Sequence, residues 1–220
     1  MSGLAPLTGS TLLDVGCGTG EYTTAMASGF GHVDAIDIEE DRLAVFRANV
    51  PNNVTTSCQS VHTLNFKSES FDRVTMIEVL EHIDDIPRAL KEVARVLRPD
   101  GTLLITTPNR LWPFEQHGVS IQGRRLPGYA LPGLTWVKPL HKRLSNSGAF
   151  TRRDLEHLAD ESGLQVQGVT YMMPPLDSLQ AGHPLHRQAD RIESTPLRHF
   201  GQTIIAGFTR LARPPADPAS

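Results

Sequence analysis

The chain has 220 residues, a formal net charge of −3 and 39% apolar residues. A chain of this length can bury enough surface to fold without disulfides, and its charge excludes a strongly basic nucleic-acid binder and an acidic disordered protein. No apolar run approaches the roughly 18 residues that a membrane-spanning helix needs. Residues 1–41 hold no Lys or Arg, so no charged signal-peptide segment is expected, and having only two cysteines, Cys17 and Cys58, favours a reducing, cytoplasmic compartment.

Short apolar runs alternate with helical patterns along the chain. Strands are predicted at 11–15, 33–38, 54–58, 71–77, 102–107, 164–171 and 203–209. Helices are predicted at 21–28, 41–49, after Asp84 or Asp85, at 151–162 and near 185–193. Pro87 and Thr151 support two of these helix starts, as a first-turn proline and an N-cap. The strand–helix alternation predicts an α/β fold with a parallel sheet.

The amino-acid composition changes after the fifth predicted strand, where Pro, Gly, aromatic and basic residues are frequent. Residues 110–143 contain six basic residues and one acid, a charge of +5 that leaves −8 for the rest of the chain. A long irregular stretch inside a compact domain is usually a lid or a binding insertion. We therefore predict a single domain over 1–220, with a cap over 109–148 and a frayed, Pro-rich tail over 211–220.

The segment Leu12–Gly20 (LLDVGCGTG) places three glycines between the first strand and the first helix. Glycine lets a ligand approach the backbone closely, and the G-x-G-x-G spacing differs from the G-x-G-x-x-G of pyrophosphate loops. Asp14 would repel a phosphate but could hold an ammonium group. Asp37, 21 residues after Gly16, could accept hydrogen bonds from both ribose hydroxyls. The pattern predicts a site for a nucleoside that carries an amino acid.

At this point the chain resembles the class I S-adenosylmethionine-dependent methyltransferases. LLDVGCGTG is similar to their first motif and Ala35–Ile38 (AIDI) to their second. The similarity continues through 70–74 (SFDRV), 78–83 (EVLEHI) and 95–101 (RVLRPDG). The resemblance implies a Rossmann-like, seven-stranded, mostly parallel sheet with helices on both faces. Its last strand would lie antiparallel beside the strand at 164–171.

The resemblance also implies which residues bind S-adenosylmethionine. We assign to the cofactor site the loop residues Asp14, Gly16, Cys17, Gly18 and Gly20, together with Glu78 after the fourth strand. Asp37 would bind the ribose, and Ile38 would pack on the adenine. Ser60 and Val61 stand where the family often carries an acid that faces the adenine amino group, and a serine oxygen could still accept that hydrogen bond.

Methyl transfer is an in-line displacement that needs orientation and, for a protonated nucleophile, a base. Ligands of open α/β sheets bind beyond the carboxyl ends of the strands, where Glu78–His82 leaves the fourth strand. His82 and, from the cap, His117 are therefore the candidate catalytic residues. The E-x-x-E-H segment could also hold a divalent metal, but we favour a site without one, because such a short motif often only caps or orients a turn.

The predicted function is a cytoplasmic S-adenosylmethionine-dependent methyltransferase that acts on an oxygen of an amphipathic or anionic small molecule. The segment Thr107–Glu115 (TPNRLWPFE) resembles members that act on quinone precursors. The cap cations and aromatics would cover this acceptor, or would instead form a solvated loop packed on the sheet. Three alternatives are an RNA or protein methyltransferase, a nicotinamide dehydrogenase and a catalytically silent S-adenosylmethionine-binding protein. Asp14 and the glycine spacing disfavour the dehydrogenase, and the shortness of the basic patch disfavours RNA.

Overall fold

The computed structural model describes residues 4, 7–121, 124–145, 147–174 and 195–211. The strands in this part of the chain are β1 (Gly9–Val15), β2 (Phe30–Asp37), β3 (Val54–Cys58), β4 (Phe71–Ile77), β5 (Leu97–Pro108), β6 (Val119–Ile121), β7 (Arg124–Leu126), β8 (Leu164–Met172) and β9 (Thr203–Arg210). The α-helices are α1 (Glu21–Ala27), α2 (Glu40–Arg47), α3 (Ile86–Val96), α4 (Lys138–Leu144) and α5 (Arg152–Asp160). Single turns of 3₁₀ helix lie at Leu80–His82, Gly128–Ala130, Leu134–Trp136 and Pro196–Phe200.

Seven of these strands form one sheet in the order β3-β2-β1-β4-β5-β9-β8. The five strands β3, β2, β1, β4 and β5 are parallel to one another. Strand β9 runs antiparallel to both β5 and β8. The predicted α/β class, the mostly parallel sheet and the antiparallel last strand are therefore confirmed.

Helices cover both faces of this sheet, because consecutive residues of β1 are apolar and buried. Leu12 packs in a cluster with Leu43 and Phe46 of α2, whereas its neighbour Leu13 packs in a second cluster with residues of α3 and α5. Successive side chains of a strand point to opposite faces, so a run of buried residues needs cover on both. The sheet thus lies inside the core, with only its strand ends left to build a site.

Local signals set several element boundaries. The Asp85 side chain accepts a hydrogen bond from the Arg88 N–H and caps α3, and Thr151 forms a capping box with Asp154 at α5. Strand β5 begins before the strand predicted at 102–107, because residues 97–101 already pair with β4 through an irregular, bulged register. Asp100 has φ 62°, and the pairing with β4 shifts register between Phe71 and Arg73.

The segment that follows β5 contains the β6–β7 hairpin and α4. Its two ends are close together, since Asn109 pairs with Phe150 in an isolated bridge. The helix predicted near 185–193 and residues 212–220 of the predicted tail lie outside the described residues. Among the helices that are described, none has the length and apolar character to cross a bilayer.

Candidate functional site

The turn between β1 and α1 is built on three glycines with positive φ: 73° at Gly16, 54° at Gly18 and 85° at Gly20. A Cβ atom at Gly16 would overlap the Val79 side chain, and one at Gly20 would overlap the Phe46 ring. At Gly18 a Cβ would meet only the Arg42 guanidinium, 3.8 Å away. A side chain at Gly16 or Gly20 would therefore collide with a neighbouring residue, whereas Gly18 leaves open space in front of the backbone.

Asp37, at the carboxyl end of β2, fixes this turn. Its Oδ2 accepts the Gly18 N–H at 2.8 Å, and its Oδ1 accepts the Glu39 N–H at 2.9 Å. Each carboxylate oxygen can accept a further hydrogen bond. Asp37 also lines a cavity of about 480 Å³, so its remaining acceptor positions are available to hydroxyl groups of a ligand in that cavity.

This 480 Å³ cavity, which we call the cofactor cavity, lies beyond the carboxyl ends of β1, β2 and β4. Its walls include Gly16, Asp37, Ile38, Ser60, Val61, Glu78 and His82. The Ile38 side chain is 71% exposed and offers an apolar surface for a planar ring. Pockets for small ligands commonly measure 300–1,000 Å³. The carboxylate and the apolar wall together fit a nucleoside-type cofactor, whereas Gly18 and Gly20 are not among the residues that line this cavity.

Two loop residues of the predicted site do not line this cavity with their side chains. Asp14 is 2% exposed and accepts hydrogen bonds from the Thr23 hydroxyl at 2.6 Å and the Thr75 hydroxyl at 2.7 Å. Burial raises its pKa. Cys17 packs in the apolar cluster that contains Leu12, and burial, with Asp14 nearby, raises the pKa of its thiol to about 12. Their side chains brace the loop, and their contacts to a ligand remain a prediction.

Glu78 turns the chain sharply where β4 ends. Its φ of 54° is unusual for a residue with a side chain, and such backbone costs about 1–3 kcal/mol. Thr106 of β5 holds this conformation: its Oγ1 accepts the Glu78 N–H at 3.0 Å and donates to Glu78 Oε1 at 3.0 Å. The turn leads directly into the 3₁₀ turn that carries Glu81 and His82.

The structure brings the two candidate catalytic residues together. The rings of His82 and His117 lie edge to face, with their centroids 5.0 Å apart. Glu81 Oε1 lies 4.0 Å from His117 Nε2, and Glu81 Oε2 accepts the Thr107 hydroxyl at 3.2 Å. One ligand atom each from Glu81, His82 and His117 falls within 4.8 Å of the others, so these three could hold a metal ion.

The surroundings shift the pKa values of Glu81, His82 and His117 in different directions. Burial raises the pKa of Glu81 to about 8, and the charge of Glu78 adds to the rise. Burial lowers the pKa of His82, with a further contribution from His117. The carboxylate of Glu115 raises the pKa of His117 against the effect of burial. His82 is therefore neutral near pH 7, while His117 holds a proton more readily.

Three cavities adjoin at these histidines. A cavity of about 290 Å³, the histidine cavity, is lined by His82, His117, Gly118, Leu144 and Ser147. It shares His82 with the cofactor cavity. It shares His117 and Gly118 with a groove of about 710 Å³, the aromatic groove, whose walls include Trp112, Phe114, Leu126 and Tyr129. The histidines therefore stand between a cofactor-sized cavity and an apolar groove.

Sequence analysis missed a buried polar network behind His117. Glu115 is 6% exposed and contacts His117, His141 and Ser147. Glu115 is the one acid between residues 110 and 143, and that isolation in a basic segment is the signal that could have marked it. No local pattern connects it to His141 or Ser147, because those contacts span 26 and 32 residues.

Comparisons with known proteins agree with this geometry. A family model described as a methyltransferase domain matches residues 13–105. A ubiquinone biosynthesis O-methyltransferase of Coxiella burnetii is 34% identical over 168 residues, which are 74% of this chain and 67% of that protein. Its counterpart in Paracidovorax citrulli is 38% identical over 115 residues, 50% of this chain and 48% of that one. The structure of an S-adenosylmethionine-dependent methyltransferase from Mesorhizobium loti shares the fold, with a TM-score of 0.66, 22% identity and 94% of each chain covered.

Proposed function

The chain belongs to the class I S-adenosylmethionine-dependent methyltransferases, and we propose that it methylates an oxygen of an amphipathic or anionic small molecule. The observation that carries this proposal is the position of His82 and His117 between the cofactor cavity and the aromatic groove. An acceptor hydroxyl bound at these histidines would lie next to a methyl donor in the cofactor cavity, while the rest of the acceptor could occupy the aromatic groove. The relatives from Coxiella burnetii and Paracidovorax citrulli are named as O-methyltransferases, which supports oxygen as the acceptor atom.

Cofactor binding is proposed for the walls of the cofactor cavity. S-adenosylmethionine supplies the methyl group on its sulfonium centre. Asp37 would accept hydrogen bonds from the ribose hydroxyls, Ile38 would pack on the adenine, and the Gly18 backbone would allow close approach. Ser60, Val61 and Glu78 line the same cavity. Asp14 and Cys17 would act through the loop conformation, since their side chains are buried away from it.

His117 is the proposed base. A base works best when its pKa lies near the operating pH, and Glu115 moves the pKa of His117 upward from its ordinary value of about 6.5. The neutral His117 ring would accept the proton of the acceptor hydroxyl as the oxygen attacks. The adjacent neutral His82 would hydrogen-bond the acceptor and help to exclude water.

The acceptor would lie under residues 109–148, which we propose to be a cap within a single domain. The aromatic groove offers Trp112, Phe114 and Tyr129 to an apolar part, and Tyr129 is 73% exposed. Arg110, Arg124 and Arg143 add positive charge for an anionic part. We place the protein in the cytoplasm because both of its cysteines are free thiols.

Methyl transfer from isotopically labelled S-adenosylmethionine tests this function. The acceptors would be 3,4-dihydroxybenzoate, the same ring with an added alkyl chain, and total tRNA as the nucleic-acid arm. We expect label on a catechol oxygen, with a lower KM for the alkylated ring because the chain occupies the aromatic groove. Label on tRNA would contradict a small-molecule acceptor. Cofactor binding in calorimetry with no transfer to a broad panel of hydroxylated metabolites would indicate a catalytically silent protein.

The alternative of a metal site at Glu81, His82 and His117 has its own test. If these side chains hold a divalent ion, a chelator should abolish transfer, and added Mg²⁺ or Zn²⁺ should restore it. If His117 acts as a base, as we propose, the chelator should leave the rate unchanged.

A further inference from the structure

We propose that Glu115 is a positioning residue, which holds His117 toward the histidine cavity and joins three segments of the cap. The inference rests on the proposed role of His117 and extends it to a residue that the cofactor motifs do not reach. Its basis is the set of contacts that this single buried carboxylate makes.

The Glu115 carboxylate receives donors from three separate stretches of chain. Its Oε1 accepts the His117 N–H at 3.0 Å and the Ser147 hydroxyl at 3.2 Å. Its Oε2 makes a short contact to Nε2 of His141, on α4. One carboxylate therefore connects the segment that carries His117, the helix α4 and the loop before α5. His141 and Ser147 are themselves buried, so the network is largely shielded from solvent.

The His117 ring lies between the carboxyl groups of Glu115 and Glu81. Its Nδ1 is 3.7 Å from Glu115 Oε1, and its Nε2 is 4.0 Å from Glu81 Oε1. The His82 ring packs edge to face against the His117 ring and limits its rotation. Both distances exceed hydrogen-bond length, so the two carboxyl groups bias the orientation of the ring electrostatically, and a base needs one preferred orientation in order to meet an acceptor hydroxyl.

The network also explains why a buried acid stands in a segment of charge +5. Burying an unpaired carboxylate is costly, and several donors are needed to offset that cost. Burial alone would raise the pKa of Glu115, but the hydrogen bonds from His117 and His141 outweigh it and hold the pKa below its ordinary value. The carboxylate stays ionised, and its donors must stay in place to keep it so.

The decisive comparison is between Glu115→Gln and Thr135→Val. Glu115→Gln keeps the size of the side chain and removes its charge. Thr135 is a matched control: it is also buried in the cap, and its hydroxyl donates to the Trp112 carbonyl at 2.6 Å. Thr135→Val should lower the melting temperature of the protein without a specific loss of turnover.

We expect Glu115→Gln to lower kcat by about 10–100-fold, as for other carboxylates that orient a functional histidine, with KM for the catechol changed less than threefold. In a His117→Ala background the same substitution should cause no further loss of kcat. Equal losses in Glu115→Gln and Thr135→Val at matched stability, or additive losses in the double variant, would reduce Glu115 to a structural role.

A measurement that needs no acceptor separates this inference from the proposed function. In protein labelled with ¹⁵N-histidine, the ring nitrogen signals of His117 should shift in Glu115→Gln and stay in place in Thr135→Val. Unchanged signals in Glu115→Gln would overturn the positioning role even if methyl transfer is found. Should Glu115→Gln fail to fold, Ser147→Ala removes one donor only and should produce a smaller shift of the same signals; an unmoved His117 would again contradict the proposal.

Discussion

The cofactor end of the sheet and the cap after β5 meet at His82 and His117, yet they are held in shape by different forces. At the cofactor end, backbone N–H groups fix the turn: the Gly16 N–H donates to the Ile36 carbonyl at 2.7 Å, and the Gly18 N–H donates to the Asp37 carboxylate at 2.8 Å. In the cap, side chains from distant positions converge on Glu115. A turn whose shape depends on backbone conformation requires particular residues, such as glycine, at fixed spacing. A network of side chains from distant positions can be formed by many different sequences.

The strongest way to break the backbone-shaped half is Gly18→Val. The branched side chain would occupy the open space in front of the turn, so we expect loss of S-adenosylmethionine binding in calorimetry while the protein stays folded, with a melting temperature lowered by the strain of valine at φ 54°. Gly20→Val is the contrasting variant, because its side chain would in addition overlap the Phe46 ring and should lower the melting temperature further. A Gly18→Val protein that binds the cofactor normally once folded would remove Gly18 from the site.

The cap-side half is tested by His117→Ala. Loss of a general base typically costs about 10²–10⁴-fold in kcat, and cofactor affinity should stay nearly unchanged, because His117 is absent from the walls of the cofactor cavity. His32→Ala, at a half-exposed position on β2, serves as the control. A kcat that matches the unmodified protein would indicate a histidine without a chemical task.

Asp37→Ala should give an intermediate effect. Losing charge-assisted hydrogen bonds to the ribose should weaken cofactor binding by about 1–3 kcal/mol, as measured by calorimetry. Asp34→Ala lies on the same strand, with its carboxylate 3.5 Å from His32, and should leave cofactor affinity unchanged. Equal effects of the two variants would assign the loss to β2 as a whole. Tighter binding of NAD than of S-adenosylmethionine to the unmodified protein would contradict the cofactor assignment.

The smallest effect is expected at the opposite end of the sheet, where Asp72 joins β1, β4 and β5 and is not part of the lining of the cofactor cavity. It accepts the Ser10 and Thr11 N–H groups at 2.9 and 3.0 Å and contacts the Arg98 guanidinium. Burial opposes ionisation, but the Thr11 and Arg98 hydrogen bonds outweigh it and lower the pKa of Asp72. Asp72→Asn should cost about 1–2 kcal/mol of the free energy of unfolding at pH 7, with cofactor affinity unchanged.

The pH dependence of this cost has a fixed sign. A lowered pKa stabilises the folded state above the unfolded pKa of about 3.9, and this contribution is lost as the pH falls through the folded value. The difference between the unmodified protein and Asp72→Asn in urea unfolding should therefore be constant from pH 7 to about 5 and shrink below pH 4. A difference that grows on acidification would contradict the assignment.

The success of the sequence-based predictions also differs between the cofactor end of the sheet and the cap. The strands at 54–58 and 71–77 and the glycine turn could be predicted from the sequence, because β3 begins with β-branched residues, β4 is largely buried, and positive φ demands glycine. The Glu115 network could not, since its partners lie 26 and 32 residues away and carry no periodic signal. Asp14 is the instructive intermediate: its presence was predicted to matter, but its two threonine partners were invisible to a spacing argument.

The place of β9 in the sheet has a consequence for how the chain acquires its structure. Among the described strands, β8 pairs only with β9, and β9 also pairs with β5, although roughly 95 residues separate β5 from β9 along the chain. The free edge of β5 can therefore be paired only after β9 has been synthesised. Strand β8 likewise gains its hydrogen-bonded neighbour in the described sheet only when β9 inserts between β5 and β8. Amides of β8 and β9 should become protected together, and last, in pulse-labelled hydrogen exchange, since this closure is the most non-local step of folding.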